Sequence, residues 1–218
     1  TDWTKFYIHP DSMTISKEKQ TSQSSVEYLG LSDGVTFLSD PLTEDMEITG
    51  PIASKLWVSS ETNDADLFLV LRAFTPDMKE LTFQGALDPH TPLAQGWLRC
   101  SHRKLDEDLT LPYRPYHAHD EIQPLTPNET YEVDVEVWPT CIVVPKGYRI
   151  GFSIRGKDYV YPGDSGTDFG EYASWTGCGL FKHDDPIDRP ASVFGGEVTL
   201  HTGPDQQAHI MLPVIPLS

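Results

Sequence analysis

The sequence predicts an all-β fold, a two-sheet sandwich of the jelly-roll type. Short runs alternate apolar and polar residues with the period of a strand. The 18 prolines and 16 glycines break those runs at short intervals. No stretch keeps a helical apolar period long enough for a substantial helix, and many short strands with Gly/Pro turns favour a sandwich or barrel. With 218 residues the chain is long enough for one large domain and a real core. It shows neither an internal repeat nor a second domain, so residues 1–218 read as a single domain.

The elements follow in order. Trp3 to Ile8 reads as an opening strand. Residues 15–34 are polar and rich in Ser, Gln and Lys, and read as a loop or peripheral excursion. Thr36-Phe37-Leu38 and Leu56-Trp57-Val58-Ser59-Ser60 are short strand candidates. Residues 66–74, Asp-Leu-Phe-Leu-Val-Leu-Arg-Ala-Phe, form a nearly continuous apolar run, as expected of a strand covered on both faces. Residues 131–137, Tyr-Glu-Val-Asp-Val-Glu-Val, alternate strictly, with one face in and one face wet. Residues 148–155 repeat the pattern, with Tyr148, Ile150, Phe152 and Ile154 on one side and Gly147 and Gly156 at the ends. Residues 157–190 are rich in Gly and Asp and read as one long loop region. Val198-Thr199-Leu200 and Ile210 to Val214 read as two last strands joined by a Gly203-Pro204-Asp205 turn.

Charge and cysteine content narrow the function. The chain carries 33 acidic and 16 basic side chains, a formal charge of −17. Such a surface repels phosphate backbones and anionic lipid, which argues against nucleic-acid and membrane partners. No apolar run approaches the roughly 20 residues that span a bilayer, and the first residues lack the basic and apolar regions of a signal peptide. There is no initiator Met, as expected of an excised or processed chain. Cys100, Cys141 and Cys178 are odd in number and far apart, so they read as free thiols and favour a reducing, cytoplasmic setting. Asn128-Glu129-Thr130 matches a glycosylation sequon, a triplet common by chance.

The stretch from Asp88 to Asp120 concentrates chemistry. It holds His90, His102, His117 and His119 among Arg99, Arg103, Lys104 and Arg114. Such a cluster is either a reaction centre or a polar network that fixes loops. For a serine nucleophile, no Gly-x-Ser-x-Gly elbow is present. Gly163-Asp164-Ser165-Gly166 copies the tetrapeptide around a trypsin-like serine, but no upstream segment supplies the histidine base, so a turn is the better reading. For a metal, His117-x-His119 would put two imidazoles on one side of a strand, as cupins do. The expected glutamate is missing, and Pro124 interrupts the strand that should follow. For calcium, Asn63-Asp64-Ala65-Asp66 offers Asp64 and Asp66 as oxygen ligands, against the commoner reading of an Asx turn. Asp184-Asp185-Pro186 has the same two readings. For ligand stacking, Tyr172 and Trp175 in the Gly-rich loop are the candidates, while Trp57 and Trp138 sit in strand patterns and read as core.

The ordered segments resemble a known family. They begin with Phe37-Leu38-Ser39-Asp40-Pro41-Leu42, Ile48-Thr49-Gly50-Pro51, Leu56 to Ser60 and Asp64 to Phe68. They continue through Gly96-Trp97-Leu98-Arg99, Ser101-His102-Arg103, Arg114-Pro115 with His117, Pro124-Leu125 and Val135 to Thr140. His201-Thr202-Gly203 and Leu212 to Pro216 close the set. Each piece alone is weak; in this order the set resembles the C-terminal domain of X-Pro dipeptidyl-peptidases and CocE/NonD hydrolases, and it spans nearly the whole chain. The resemblance implies a galactose-binding-like jelly roll that follows an α/β-hydrolase domain of the same polypeptide. It also implies that the catalytic Ser, Asp and His lie in that earlier domain, so no catalytic residue and no cofactor is expected here.

The expected function is therefore that of a non-catalytic accessory domain. It would pack against the hydrolase domain, stabilise it and help bound its substrate pocket. Arg99, His102, Arg103, Arg114, His117 and His119 would tie long loops together through charge-assisted hydrogen bonds. Two rivals remain at this point: a stand-alone carbohydrate-binding module, and a metal-dependent cupin-like enzyme. The sequence leaves the parent's substrate and the oligomeric state open.

Overall fold

A computed structural model describes residues 2–85, 88–163, 176–179 and 182–216. The strands are β1 (Asp2–His9), β2 (Thr14–Ser16), β3 (Ser24–Leu29), β4 (Val35–Leu38), β5 (Met46–Ser60) and β6 (Asp66–Phe74). They are followed by β7 (Glu80–Leu81), β8 (Ala94–Arg99), β9 (Tyr131–Val144), β10 (Arg149–Arg155), β11 (Glu197–Thr202) and β12 (His209–Ile215). One short helix, α1 (Ala191–Phe194), precedes β11. Among the described residues no helix is long and apolar enough to cross a membrane.

The strands pair in the order β3-β11-β5-β12-β1-β2-β4-β10-β6-β7, with β8 also on β6 and β9 also on β5. The path folds over on itself at β2. There the ladder narrows to one parallel pair, Thr14 with Leu38. One layer is thus built on β5, flanked by β9 on one side and by β11 and β12 on the other. The second layer is built on β6, flanked by β10 and β8. This is the all-β sandwich that the alternating runs predict.

Side-chain alternation explains the core. Leu67, Leu69 and Leu71 of β6, Ile150, Phe152 and Ile154 of β10, and Val133, Val135 and Val137 of β9 all enter one apolar cluster. The residues between them face outward. On β9 those are mostly half-buried or exposed, but on β6 they are buried too: the whole of Asp66–Phe74 is out of water. The reading of 66–74 as a strand covered on both faces holds, and what covers its outer face is the segment around Tyr159, His183 and Arg189.

Several boundaries differ from expectation. Residues 15–34 are not loop throughout: Ser24 to Leu29 pair along their length with β11. Their residues are mostly half-buried or exposed, as befits an edge strand, so the apolar signal was weak. Leu56–Ser60 is the end of the 15-residue β5. Its earlier part is disguised by Gly50-Pro51, where the register against β9 shifts and Gly50 adopts φ of 132°. A bulge with positive φ needs glycine. β8 went unread because Gly96 and Gln95 break its apolar pattern.

Gly96 has a packing reason. A Cβ there would stand 2.3 Å from the Glu136 carbonyl oxygen and 2.9 Å from Val137 Cα. The β8 and β9 edges of the two layers close together at this point, and only a hydrogen fits between them. Gly96→Ala is expected to lower stability by about 1–3 kcal/mol, as overpacking against backbone does. A urea midpoint equal to that of the unchanged chain would contradict the close approach.

Candidate functional site

The polar cluster gathers around Asp66, the first residue of β6. Asp66 is 7% exposed. Its two carboxylate oxygens receive two guanidinium groups. Arg99, at the end of β8, donates from Nε to Oδ1 at 2.9 Å and from Nη2 to Oδ2 at 3.1 Å. Arg189 donates from Nε to Oδ2 at 2.7 Å. The adjacent strands β6 and β8 bring Arg99 to Asp66 directly, since the two are cross-strand partners. Arg189 arrives from a loop 123 residues away and also donates to the carbonyls of His183 and Gly156. Arg99 in turn holds Asp188 at 3.0 Å. Both guanidinium groups lie against aromatic rings: Arg189 over Phe68 at 4.8 Å and Arg99 over Phe194 at 4.5 Å. Carboxylate hydrogen bonds raise the Arg99 guanidinium further above its ordinary range.

Neighbouring residues build turns on the same plan. Asp64 accepts from the Ser101 amide at 2.9 Å and the Ser101 hydroxyl at 2.6 Å, which fixes the turn at Cys100–His102. Arg103 donates to the carbonyls of Cys100 and Gln123 and lies 4.5 Å over the Tyr131 ring. Asp88 takes the amides of Gly177 and Gly179. Asp158 takes the amide and the ring of His183. On the outer face of β6, Arg72 is bidentate to the buried Glu80.

The three histidines come together, though not on a strand. His102 Nδ1 lies 3.2 Å from His119 Nδ1, so one ring donates to the other. The His117 ring centre is 6.0 Å from that of His119. His117 Nε2 bonds to the Asp134 carbonyl at 2.9 Å, and burial holds its pKa below the ordinary histidine range. These rings, with Phe68, Trp97, His183 and Arg99, line an open cavity of about 360 Å³. Among the described residues no group of three or more His, Cys, Asp or Glu could hold a metal ion. Asp64 and Asp66, read as calcium candidates, have their oxygens taken by the partners above.

Three expectations need correcting or placing. Arg114 is not in the network: it is exposed, and among the described residues its side chain has no hydrogen bond or ion pair. Its backbone closes a turn with Leu111 instead. Trp138, read as core, is 63% exposed, because it follows Val133, Val135 and Val137 in the alternation of β9 and so falls on the outer face. Tyr172, Trp175 and Ser165 lie outside the described residues. The organising acid, Asp66, stands in the sequence reading only as a calcium candidate; the signal for its role is that a carboxylate opening a strand buried on both faces must find cationic partners. Arg189 carried no local signal.

No hydrolytic constellation assembles among the described residues. Ser59 Oγ and His201 Nε2 meet at 2.8 Å, but Ser59 is buried inside the continuous β5–β11 ladder, opposite Thr199. A hydroxyl buried within the ladder offers an acyl group no access. Burial pushes the Cys100 and Cys178 thiols up, away from thiolate chemistry.

The comparisons agree with this arrangement. Residues 9–170 match the model of the X-Pro dipeptidyl-peptidase C-terminal non-catalytic domain. The chain belongs to that family. It is 23% identical over 183 residues to the cocaine esterase of Rhodococcus, covering 84% of this chain and 26% of the esterase. A CocE/NonD family hydrolase of Staphylococcus aureus superposes over 98% of this chain and 37% of its own, with a TM-score of 0.81 at 22% identity. An α-amino acid ester hydrolase superposes over 98% of this chain and 36% of its own, with a TM-score of 0.62 at 14% identity. The chain spans 19% to 26% of the length of the curated relatives it matches. A non-catalytic C-terminal domain implies an attached catalytic domain.

Two outcomes follow. Asp66→Ala would leave Arg189 buried without its carboxylate and is expected to cost about 3–5 kcal/mol in chemical denaturation, as breaking a buried pair does. Arg114→Ala should stay within about 0.5 kcal/mol of the unchanged chain, as exposed sites do; equal effects would contradict the clasp. His117, His201 and His209 are all held low chiefly by burial. A histidine depressed below its unfolded value of about 6.5 takes up protons more readily when unfolded. Its contribution is therefore full above that pH and lost as pH falls through it toward the folded pKa. The urea midpoint should drop from about pH 7 to about pH 5, and less steeply in His117→Gln. An unchanged slope in that variant would count against the burial argument.

Proposed function

We propose that residues 1–218 act as one accessory domain of a serine hydrolase. The domain packs on the catalytic domain of the same polypeptide, stabilises it and bounds the entry of an ester or amide substrate. The observation that supports this reading is how the polar cluster is used. Its buried carboxylate and its guanidinium groups at 99, 103 and 189 hold loops and strand ends. That is the work of a rigid wall rather than of a reaction centre, and rigid placement of a wall is how a remote domain influences substrate orientation. Arg99, His102, Arg103, His117 and His119 then serve as positioning groups for the loops that form this wall.

Removing residues 1–218 from the full-length hydrolase should lower the thermal midpoint of the catalytic part. A fluorophosphonate serine probe should label the catalytic part of the full-length protein and leave residues 1–218 unlabelled. A labelled peptide from within 1–218 would overturn the non-catalytic assignment. An unchanged midpoint after the removal would overturn the stabilising role.

A further inference from the structure

The loop between β8 and β9 carries apolar side chains on its outside. Of the twelve exposed large hydrophobic residues described, four lie at 109–116 of this loop and beside it, Trp3 at 39%, Leu109 at 48%, Leu111 at 39% and Tyr116 at 45%, while Ile122 at 69% lies further along the same loop. Trp3 joins the group through Tyr113, whose ring stacks on it at 4.5 Å. An exposed loop tip is ordinarily polar, and apolar groups gathered on one set a surface apart from scattered single residues.

This loop cannot turn those groups inward. Asp106 Oδ1 accepts from the amides of Asp108 and Leu109 at 3.0 and 3.1 Å. The Asp106 amide donates to the Tyr116 carbonyl at 2.8 Å, and Leu111 and Arg114 exchange both backbone bonds. Tyr116 N donates to Thr110 Oγ1 at 3.1 Å. Pro112 and Pro115 stiffen the tip further. The loop is preorganised, so little conformational entropy would be lost when a partner covers it.

We propose that Trp3, Leu109, Leu111, Tyr113 and Tyr116 form the face that docks on the catalytic domain, with Arg114 paired there to a carboxylate of that domain. The proposal rests on the accessory-domain reading above and names its surface. A C-terminal domain follows its catalytic domain in the chain, and Trp3 lies in β1, the first strand described. The S. aureus hydrolase has the larger part of its chain outside the region that this fold matches, and that part needs a surface to rest on. Arg114 supplies the charge argument. It is a cation without a partner among the described residues, set within the apolar patch of a chain with a net charge of −17. Burial of that patch would require an acidic group opposite it.

Hydroxyl-radical footprinting of the full-length hydrolase tests this, with Trp138 and Ile187, 63% and 89% exposed, as references. With each side chain's reactivity divided by the intrinsic reactivity of its residue type, the expected result is protection at Trp3, Leu109, Leu111 and Tyr116 several-fold above that of the references and independent of protein concentration. Arg114→Glu should remove much of that protection. Suppression at Trp138 and Ile187 instead of the patch would overturn the proposed face while leaving the accessory-domain reading intact. Suppression nowhere would overturn both. Suppression that appears only as concentration rises would assign the patch to a second copy of the chain and overturn the proposal as well.

Discussion

A buried carboxylate held between two guanidinium groups is the constraint on which the arrangement depends. Asp66 opens β6, the strand whose two faces are both covered. An unpaired charge at that depth would carry a large desolvation penalty. The penalty is offset only if Arg99 and Arg189 arrive together with good geometry. Arg99 comes through strand pairing, so its position is settled once β6 and β8 align. Arg189 lies 123 residues away in sequence, so the pair fixes where the described segment before α1 lies. The segment leading to α1 is thereby held across the outer face of the β6 layer.

The same device recurs with different partners. Asp88 receives the amides at 177 and 179, Asp158 holds His183, and Glu80 holds Arg72. Arg72 also lies 4.9 Å from the Phe74 ring centre and 5.6 Å from that of Tyr159. The outer face of this layer is thus a second interior, made of arginines, carboxylates and aromatic rings instead of aliphatic chains. Breaking one member leaves another charge buried alone, so such a layer has little tolerance for partial loss. That intolerance is what the rigid wall proposed above would require.

Much of this was legible from the chain. Strict alternation at 131–137 and the continuous apolar run at 66–74 identified two central strands because burial on one face or on both leaves different patterns. β3 and β8 were not legible. The first is an edge strand with few buried positions, and the second is interrupted by a glycine required by its neighbour across the seam. The cluster from 88 to 120 was visible as a cluster, and five of its six cited members do meet partners. The sixth, Arg114, shares their composition but sits on the far side of a turn, which local sequence does not encode. Arg189 and Asp158 were missed because their partners are remote in sequence, and only the tertiary path of the chain brings them together.

Asp66 and Arg189 act as one clasp. A double-mutant cycle on Asp66→Ala and Arg189→Ala, read by urea denaturation, measures that directly. The double variant is expected to be more stable than the sum of the single losses allows, with a coupling within the roughly 0.5–3 kcal/mol found for residues in direct contact. Losses that add to within about 0.3 kcal/mol would contradict it.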